Sequence, residues 1–195
     1  MFGFGNKNKK VAEMAMSEWL AHPNEFGESP KSVRFKRTYK GELVSYGNVE
    51  IHLVDYEMPD GTIGRGFVNG NLTWSFLGND VNKINDDDLL SAYCGWAWLF
   101  PAIQAGNILT DFESQGEESL FLSMKAQEGF ENINITDRYK IGTSELFEFT
   151  ATKQGKSFIG AGDSNGDVAF EEDDPYSSIP AIYFLLGGQV IQSMR

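Results

Sequence analysis

Hydrophobic and polar positions alternate along two neighbouring stretches early in the chain, residues 33–40 and 44–56. A period of two is typical of half-buried strands in an antiparallel sheet. Lys40 and Gly41, where the first stretch ends, are typical of a turn. The pattern therefore predicts two antiparallel strands that are joined at this turn.

Two shorter strand-like runs follow at 63–68 and 72–77, with Asn69 and Gly70 between them. Asn-Gly accepts the positive φ angles of a type I′ turn, which joins neighbouring antiparallel strands through a two-residue loop. These runs predict a two-residue β-hairpin that extends the meander.

Segments with helical spacing lie on either side of these strands. Over 11–20, apolar residues recur every three or four positions, and Pro23 predicts the end of that helix. The aspartates at 86–88 suit a helix start, because acidic side chains satisfy backbone N–H groups there and favour the helix dipole. An aromatic-rich helix is predicted over 89–104, and Pro101 can introduce a break in it.

The second half of the chain repeats this order. A predicted helix over 119–127 precedes strand patterns at 133–140 and 145–152, and a final apolar helix is predicted over 179–186. Asn165 and Gly166 repeat the Asn-Gly pair and predict a second two-residue hairpin. Unrelated meanders also share turn residues, but the repeated Tyr-Lys and Asn-Gly pairs favour duplication over that alternative.

These patterns predict an α+β fold of two related helix–antiparallel-sheet–helix units, an internal duplication packed as one pseudo-symmetric body. The first repeat unit is predicted at 11–106 and the second at 117–190, with a polar link between them. Residues 1–10 are predicted to be a flexible N-terminus. Whether the two units share one sheet or form two is left open.

Charge and cysteine usage narrow the function. The chain has 195 residues and a formal net charge of −12, which disfavours nucleic acid or an anionic membrane as a partner and permits a basic protein. The one cysteine, Cys94, cannot form an internal disulfide and fits a reducing compartment. The apolar run at 92–103 is shorter than the ~20 residues of a membrane helix. We predict a cytoplasmic protein and leave its oligomeric state open.

The residues needed for catalysis or metal binding do not occur at suitable spacings. His52 lies within a predicted strand, where a structural role is favoured, and Cys94 lies in an apolar helix, where it is expected to be a buried hydrophobe. The segment from Asp163 to Asp167 is similar to the first half of a calcium loop, but Val168 stands where such a loop has glycine. We therefore predict no catalytic, cofactor-binding or metal-binding residues.

Acidic residues follow each predicted hairpin and suggest a shared acidic rim. Neighbouring acids are normally a solvated surface, but this rim could contact a basic partner, and one tryptophan of the aromatic helix could reach that partner. The predicted partner-binding residues are Asp86, Asp87, Asp88, Trp96, Glu171, Glu172, Asp173 and Asp174.

A short motif early in the chain is similar to a motif of known proteins. Residues 19–30 read Trp-Leu-Ala-His-Pro-Asn-Glu-Phe-Gly-Glu-Ser-Pro. This resembles the Trp-Leu-x-His-Pro-x-Glu-x-Gly-x-x-Pro opening of small uncharacterised bacterial proteins, which are similar in size, acidity and α+β make-up to toxin-immunity proteins. The resemblance implies a bacterial origin and attaches no catalytic residues to the motif.

Three functional hypotheses follow. The first is a non-enzymatic protein-binding module, such as an immunity or adaptor protein, that uses an acidic surface. The second is a small-molecule-binding or hydrolytic domain with a cleft between the two units. The third is an assembly subunit, which would form a stable homo-oligomer.

Overall fold

The computed structural model describes residues 4–21, 28–43, 47–69, 72–77, 84–171 and 179–194. Within these ranges the chain forms helices and two separate five-stranded antiparallel sheets, which confirms the α+β class. The chain divides into two compact units, residues 1–85 with 191–195 and residues 86–190. None of the described helices combines the length and the apolar character needed to cross a membrane.

The first unit contains one described helix and one sheet. In the sheet, a four-stranded meander follows the order of the chain, and a late strand pairs with its first strand. The elements are α1 (Phe4–Ala21), β1 (Ser32–Leu43), β2 (Gly47–Glu57), β3 (Ile63–Asn69), β4 (Leu72–Leu77) and β10 (Ile191–Met194), and the strand order is β10-β1-β2-β3-β4.

The core of the first unit forms where α1 covers one face of β2 and β3. Val11, Ala15 and Trp19 recur every four residues, so they form one stripe of the helix, and all three are buried. The Trp19 ring lies 4.8 Å from the Tyr56 ring. Its indole Nε1 donates a hydrogen bond of 3.1 Å to the Glu28 carbonyl oxygen. This satisfies the polar atom of a fully buried side chain.

The second unit contains three described helices and one sheet, again a four-stranded meander with a short strand beside its first strand. Its elements are α2 (Asp86–Gln104), β5 (Ile108–Leu109), α3 (Glu117–Gln127), β6 (Glu131–Ile141), β7 (Ser144–Lys153), β8 (Lys156–Asp163), β9 (Val168–Phe170) and α4 (Ala181–Val190), and the strand order is β5-β6-β7-β8-β9.

Aromatic side chains form the core between α3 and the sheet of the second unit. Phe121 of α3 is fully buried, and its ring lies 5.3 Å from the Phe147 ring and 5.2 Å from the Phe149 ring. Ring pairs at these distances add to the stabilisation from area burial alone. Gly162 of β8 makes room for the Phe121 ring, because a Cβ there would lie 2.8 Å from its Cε2.

Helices α2 and α4 of the second unit approach each other at backbone distance. A Cβ at Gly187 would lie 1.8 Å from the Ser91 carbonyl oxygen, and a Cβ at Gly95 would lie 2.0 Å from the Tyr183 carbonyl oxygen. The Ser91 hydroxyl donates a hydrogen bond of 3.2 Å to the Phe184 carbonyl oxygen. The two glycines therefore permit a helix crossing that larger residues would prevent.

Several predicted boundaries differ from the structure. Helix α1 begins at Phe4, earlier than the helix predicted over 11–20, and the flexibility of residues 1–10 stays a prediction. The predicted turn at Lys40 and Gly41 is wrong, because both residues pair with β2 and β1 continues to Leu43. The break that Pro101 can introduce in α2 does not occur. Pro101 lies in the last turn, where its missing N–H affects only the end of the helix.

The two Asn-Gly pairs occupy different positions. Asn69 is the last residue of β3 and pairs with Leu72, while residues 70 and 71 lie outside the described residues. Asn165 lies in a longer loop between β8 and β9, so the two-residue hairpin predicted there is wrong. The loop is wider because the Asp163 carboxylate accepts the backbone N–H groups of Asn165 and Asp167.

The compact units divide the chain at a different place from the predicted repeat units. Helix α2 belongs to the same unit as α4, although the predicted first repeat, 11–106, includes it. The predicted bounds, including 117–190 for the second repeat, refer to units of a duplicated sequence and not to compact units. They stay a prediction.

Candidate functional site

An open groove of about 480 Å³ lies in the second unit, where β9 meets α2 and α4. This volume is within the range of ligand-binding pockets, about 300–1,000 Å³. The groove is lined by Asp88 and Ser91 of α2, by Asp167, Val168 and Ala169, and by Phe184, Leu185, Gly188 and Gln189 of α4.

Helix geometry explains why these side chains line one groove. Asp88 and Ser91 are three residues apart and therefore lie on the same side of α2. On α4, Leu185 and Gln189 are four residues apart and share a face in the same way. The backbone contact between Ser91 and Gly187 brings the two faces together along the groove.

The lining of the groove is acidic. Asp88 and Asp167 are both exposed, and the described lining includes no basic side chain. The Asp167 backbone is held in place, because its carbonyl oxygen accepts the Asp163 N–H at 3.0 Å and its N–H donates to the Asp163 carboxylate at 3.1 Å. Two carboxylates in a groove that also has apolar lining residues favour a cationic ligand.

The structure brings only part of the predicted acidic rim to this groove. Asp88 lines it, whereas Asp86 and Asp87 lie at the same helix start outside the lining. Trp96 is half-buried on α2, with its ring 6.1 Å from the Tyr93 ring, and does not line the groove. Glu171 accepts the backbone N–H of Ala181 at 3.1 Å, next to the start of α4.

The remaining predicted partner-binding residues, Glu172, Asp173 and Asp174, lie outside the residues that the structure describes. Sequence reasoning missed Asp167 and Gln189. Asp167 was considered only as part of a calcium-like loop, and Gln189 lies outside the predicted helix at 179–186. The glycines at 187 and 188 were the available signal, because small residues in a helix permit a close helix contact.

A second cluster of titratable groups lies in the same unit. The Tyr139 hydroxyl donates a hydrogen bond of 2.9 Å to Glu148 Oε2. Burial raises the pKa of Glu148, and the charges of Asp137 and Glu171 raise it further, against the opposing effect of the Tyr139 hydrogen bond. Burial and then the Glu148 charge raise the pKa of Tyr183. Glu148 therefore keeps its proton to a higher pH than an ordinary carboxyl group.

The residues considered for catalysis occupy structural positions. His52 is buried, and its Nδ1 lies 2.9 Å from the Thr38 hydroxyl. Cys94 is buried, and burial raises its pKa to about 12, so the thiol is a poor nucleophile near neutral pH. The Asp163 carboxylate accepts three hydrogen bonds, from the Asn165 N–H, the Asn165 Nδ2 and the Asp167 N–H, which explains this segment as a turn.

No protein-family model matches the chain, and no match was found among curated proteins or solved structures. The resemblance of residues 19–30 to small bacterial proteins therefore stays a prediction. Residues 22–27 of that motif lie outside the described residues.

Proposed function

We propose that this protein is a non-enzymatic protein-binding module that takes a basic segment of its partner into the groove of the second unit. The observation that carries the proposal is the groove lining, in which Asp88 and Asp167 flank apolar groups with no described basic side chain. The formal net charge of −12 supports attraction of a basic partner at long range.

The charged and the apolar groups of the groove contribute differently to the proposed binding. The two aspartates are exposed, so they mainly select a basic partner and speed its encounter, and added salt weakens both effects. The apolar groups of Ala169, Phe184 and Leu185 supply area that binding removes from water. We therefore expect an association that is sensitive to ionic strength.

The biological role that we propose is that of a toxin-immunity or adaptor protein. The size, the acidity and the motif at 19–30 motivate this role. An immunity protein has to cover a functional surface of a toxin, and an acidic groove suits a toxin whose surface is basic.

Calorimetric titration of the protein with the product of the adjacent gene tests this function, because immunity genes lie beside toxin genes. Asp88→Asn should weaken binding by about two- to fivefold at moderate salt, the usual range for one exposed charge pair. Asp87→Asn is the matched control, because Asp87 is also exposed in the first turn of α2 but does not line the groove. Its effect should be smaller.

Two results would speak against the proposal. If the adjacent product does not associate at micromolar concentration, the immunity role is wrong. If Asp87→Asn weakens binding as much as Asp88→Asn does, the groove is not the contact surface.

We also propose that the two units descend from one duplicated ancestor and retain its pseudo-symmetry. The strand registers support this, because β1 and β2 shift register between Phe35 and Arg37, and one of the two shifts between β6 and β7 lies between Ile135 and Asp137. The shift at Phe35 and the shift at Ile135 occur at the same place in the matched sequences. A bulge disrupts the strand pairing locally, and its position is conserved within families. Two unrelated meanders therefore have little reason to share that position.

The helix contacts support the same origin. Val33 and Phe35 pack against the core beneath α1, and Ile133 and Ile135 pack against the core beneath α3. These residues match at a constant interval in the sequence. In both sheets the helix that precedes the meander therefore covers the same face.

A further inference from the structure

Strand β9 forms one wall of the groove and is the last strand of its sheet. Its hydrogen bonds show which backbone groups face outwards. The Asp163 N–H donates to the Asp167 carbonyl oxygen at 3.0 Å, and the Glu171 N–H donates to the Ile159 carbonyl oxygen at 2.8 Å. In an antiparallel pair this direction alternates with each residue, so 167, 169 and 171 face β8.

Val168 and Phe170 consequently direct their N–H and C=O groups away from β8. Among the residues that the structure describes, no hydrogen bond reaches the main chain of Val168 or Phe170 on this side. Unpaired edge groups of this kind are a template for another strand.

The composition of β9 leaves this edge open to pairing. Exposed edge strands commonly carry lysine, proline or a bulge, which prevent another chain from adding to the sheet. The three residues of β9 are Val168, Ala169 and Phe170, and their pairing with β8 is regular. None of these protective features is present in the strand.

We propose that the partner binds as an extended segment that adds a strand to the edge of β9, with alternate basic side chains entering the groove. This inference rests on the proposed function and specifies its binding mode. The Val168 and Phe170 side chains pack against the aromatic core beneath α3, so Ala169 faces the opposite side of the sheet, where α4 lies. Alternate residues of the added strand point to that side, towards Asp88 and Asp167.

The binding mode predicts a sequence pattern in the partner. Backbone hydrogen bonds to the outward groups of β9 provide affinity whatever the sequence, and the groove selects every second side chain. We expect lysine or arginine at alternate positions of the segment.

The probe that tests this is a capped synthetic peptide of about eight residues that alternates lysine and threonine, a length typical of natural strands. The control peptide has the same composition with all its lysines at one end. Fluorescence titration at low ionic strength should show the alternating peptide binding about tenfold more tightly, the effect of one well-placed hydrogen bond or charge contact.

Two variants of Val168 separate backbone pairing from side-chain contact. Val168→Pro removes an outward N–H while the bonds to β8 remain, and proline is tolerated in edge strands. Val168→Ala keeps the N–H and controls for the lost side chain. Val168→Pro should weaken binding of the alternating peptide by about tenfold or more, and Val168→Ala by about threefold at most. Circular dichroism establishes that both variants are folded.

Hydrogen exchange of the wild-type protein provides a measurement that needs no variant. Binding of the alternating peptide should slow amide exchange at Val168 and Phe170, whereas Ala169, which already faces β8, should change less. Unchanged exchange at Val168 and Phe170 under saturating peptide would overturn strand addition.

The outcomes distinguish the binding mode from the proposed function. If the two peptides bind equally, or Val168→Pro binds like Val168→Ala, strand addition is wrong. The proposed function still stands if Asp88→Asn weakens binding in that case. If Asp88→Asn and Asp167→Asn also leave binding unchanged, or neither peptide binds at low salt, both proposals fail.

Discussion

The close contact between α2 and α4 predicts that Gly187→Ala destabilises the folded protein. The added Cβ would lie 1.8 Å from the Ser91 carbonyl oxygen, and contacts shorter than 3.0 Å essentially do not occur, so the helices would have to separate by at least 1.2 Å at this point. The obstacle is backbone, so no change of side-chain rotamer relieves it. The separation would also lengthen the 3.2 Å hydrogen bond from Ser91 to Phe184.

Gly188→Ala is the matched control, because it lies in the same helix and its Cβ would meet no heavy atom within 4 Å. Alanine is favoured over glycine within a helix by about 1 kcal/mol, so Gly188→Ala should stabilise the protein by up to that amount. The same gain offsets part of the overpacking cost of about 1–3 kcal/mol at Gly187. We expect Gly187→Ala to destabilise the protein by up to about 2 kcal/mol in net terms.

Urea unfolding followed by far-ultraviolet circular dichroism measures this difference. Gly187→Ala should lower the urea midpoint and Gly188→Ala should raise it or leave it unchanged. If Gly187→Ala is as stable as Gly188→Ala, the two helices do not meet at backbone distance, and their crossing does not form the groove.

Two further predictions concern the half-buried carboxyl group of Glu148 and the buried thiol of Cys94. Because the folded-state pKa of Glu148 is raised above 4.5, its carboxyl favours the folded state most at low pH, and this contribution is lost as the pH rises through the folded-state pKa. Glu148→Gln should therefore raise stability at pH 7 more than at pH 4, as measured by urea midpoints, and an equal change at both values would contradict this. Cys94, whose thiol pKa burial raises to about 12, should resist a thiol reagent in the folded protein and react once urea unfolds it, whereas immediate labelling of the folded protein would refute its burial.

The strands of the two meanders could be predicted, because the alternation of hydrophobic and polar residues is visible within each strand by itself. The alternation at 33–40 and 133–140 indicates β1 and β6 without knowledge of the rest of the chain. The short edge strands β5 and β10 were missed, because two to four residues carry too little periodicity to be recognised. Strand β10 also pairs with β1 from the opposite end of the chain, a relation that no local pattern contains.

The candidate site was predicted only in part, because it depends on a contact between helices that no local pattern contains. Asp88 was identified from the acidic run that begins α2. Its place in the same groove as Asp167 depends on the crossing of α2 and α4 at Gly95 and Gly187, which are far apart in sequence. The acidic run therefore predicted charge, but the tertiary contact selects which aspartate lines the groove.

Binding of a basic segment in the groove of the second unit should change the environment of the groove residues. The most direct measurement is a ¹⁵N–¹H nuclear magnetic resonance titration of the wild-type protein with the alternating lysine–threonine peptide. The largest shifts should occur at Asp88, Asp167, Val168 and Gln189, and they should diminish as salt is added. Largest shifts in the first unit, for example around Glu50, or no shifts at low salt, would contradict binding in this groove.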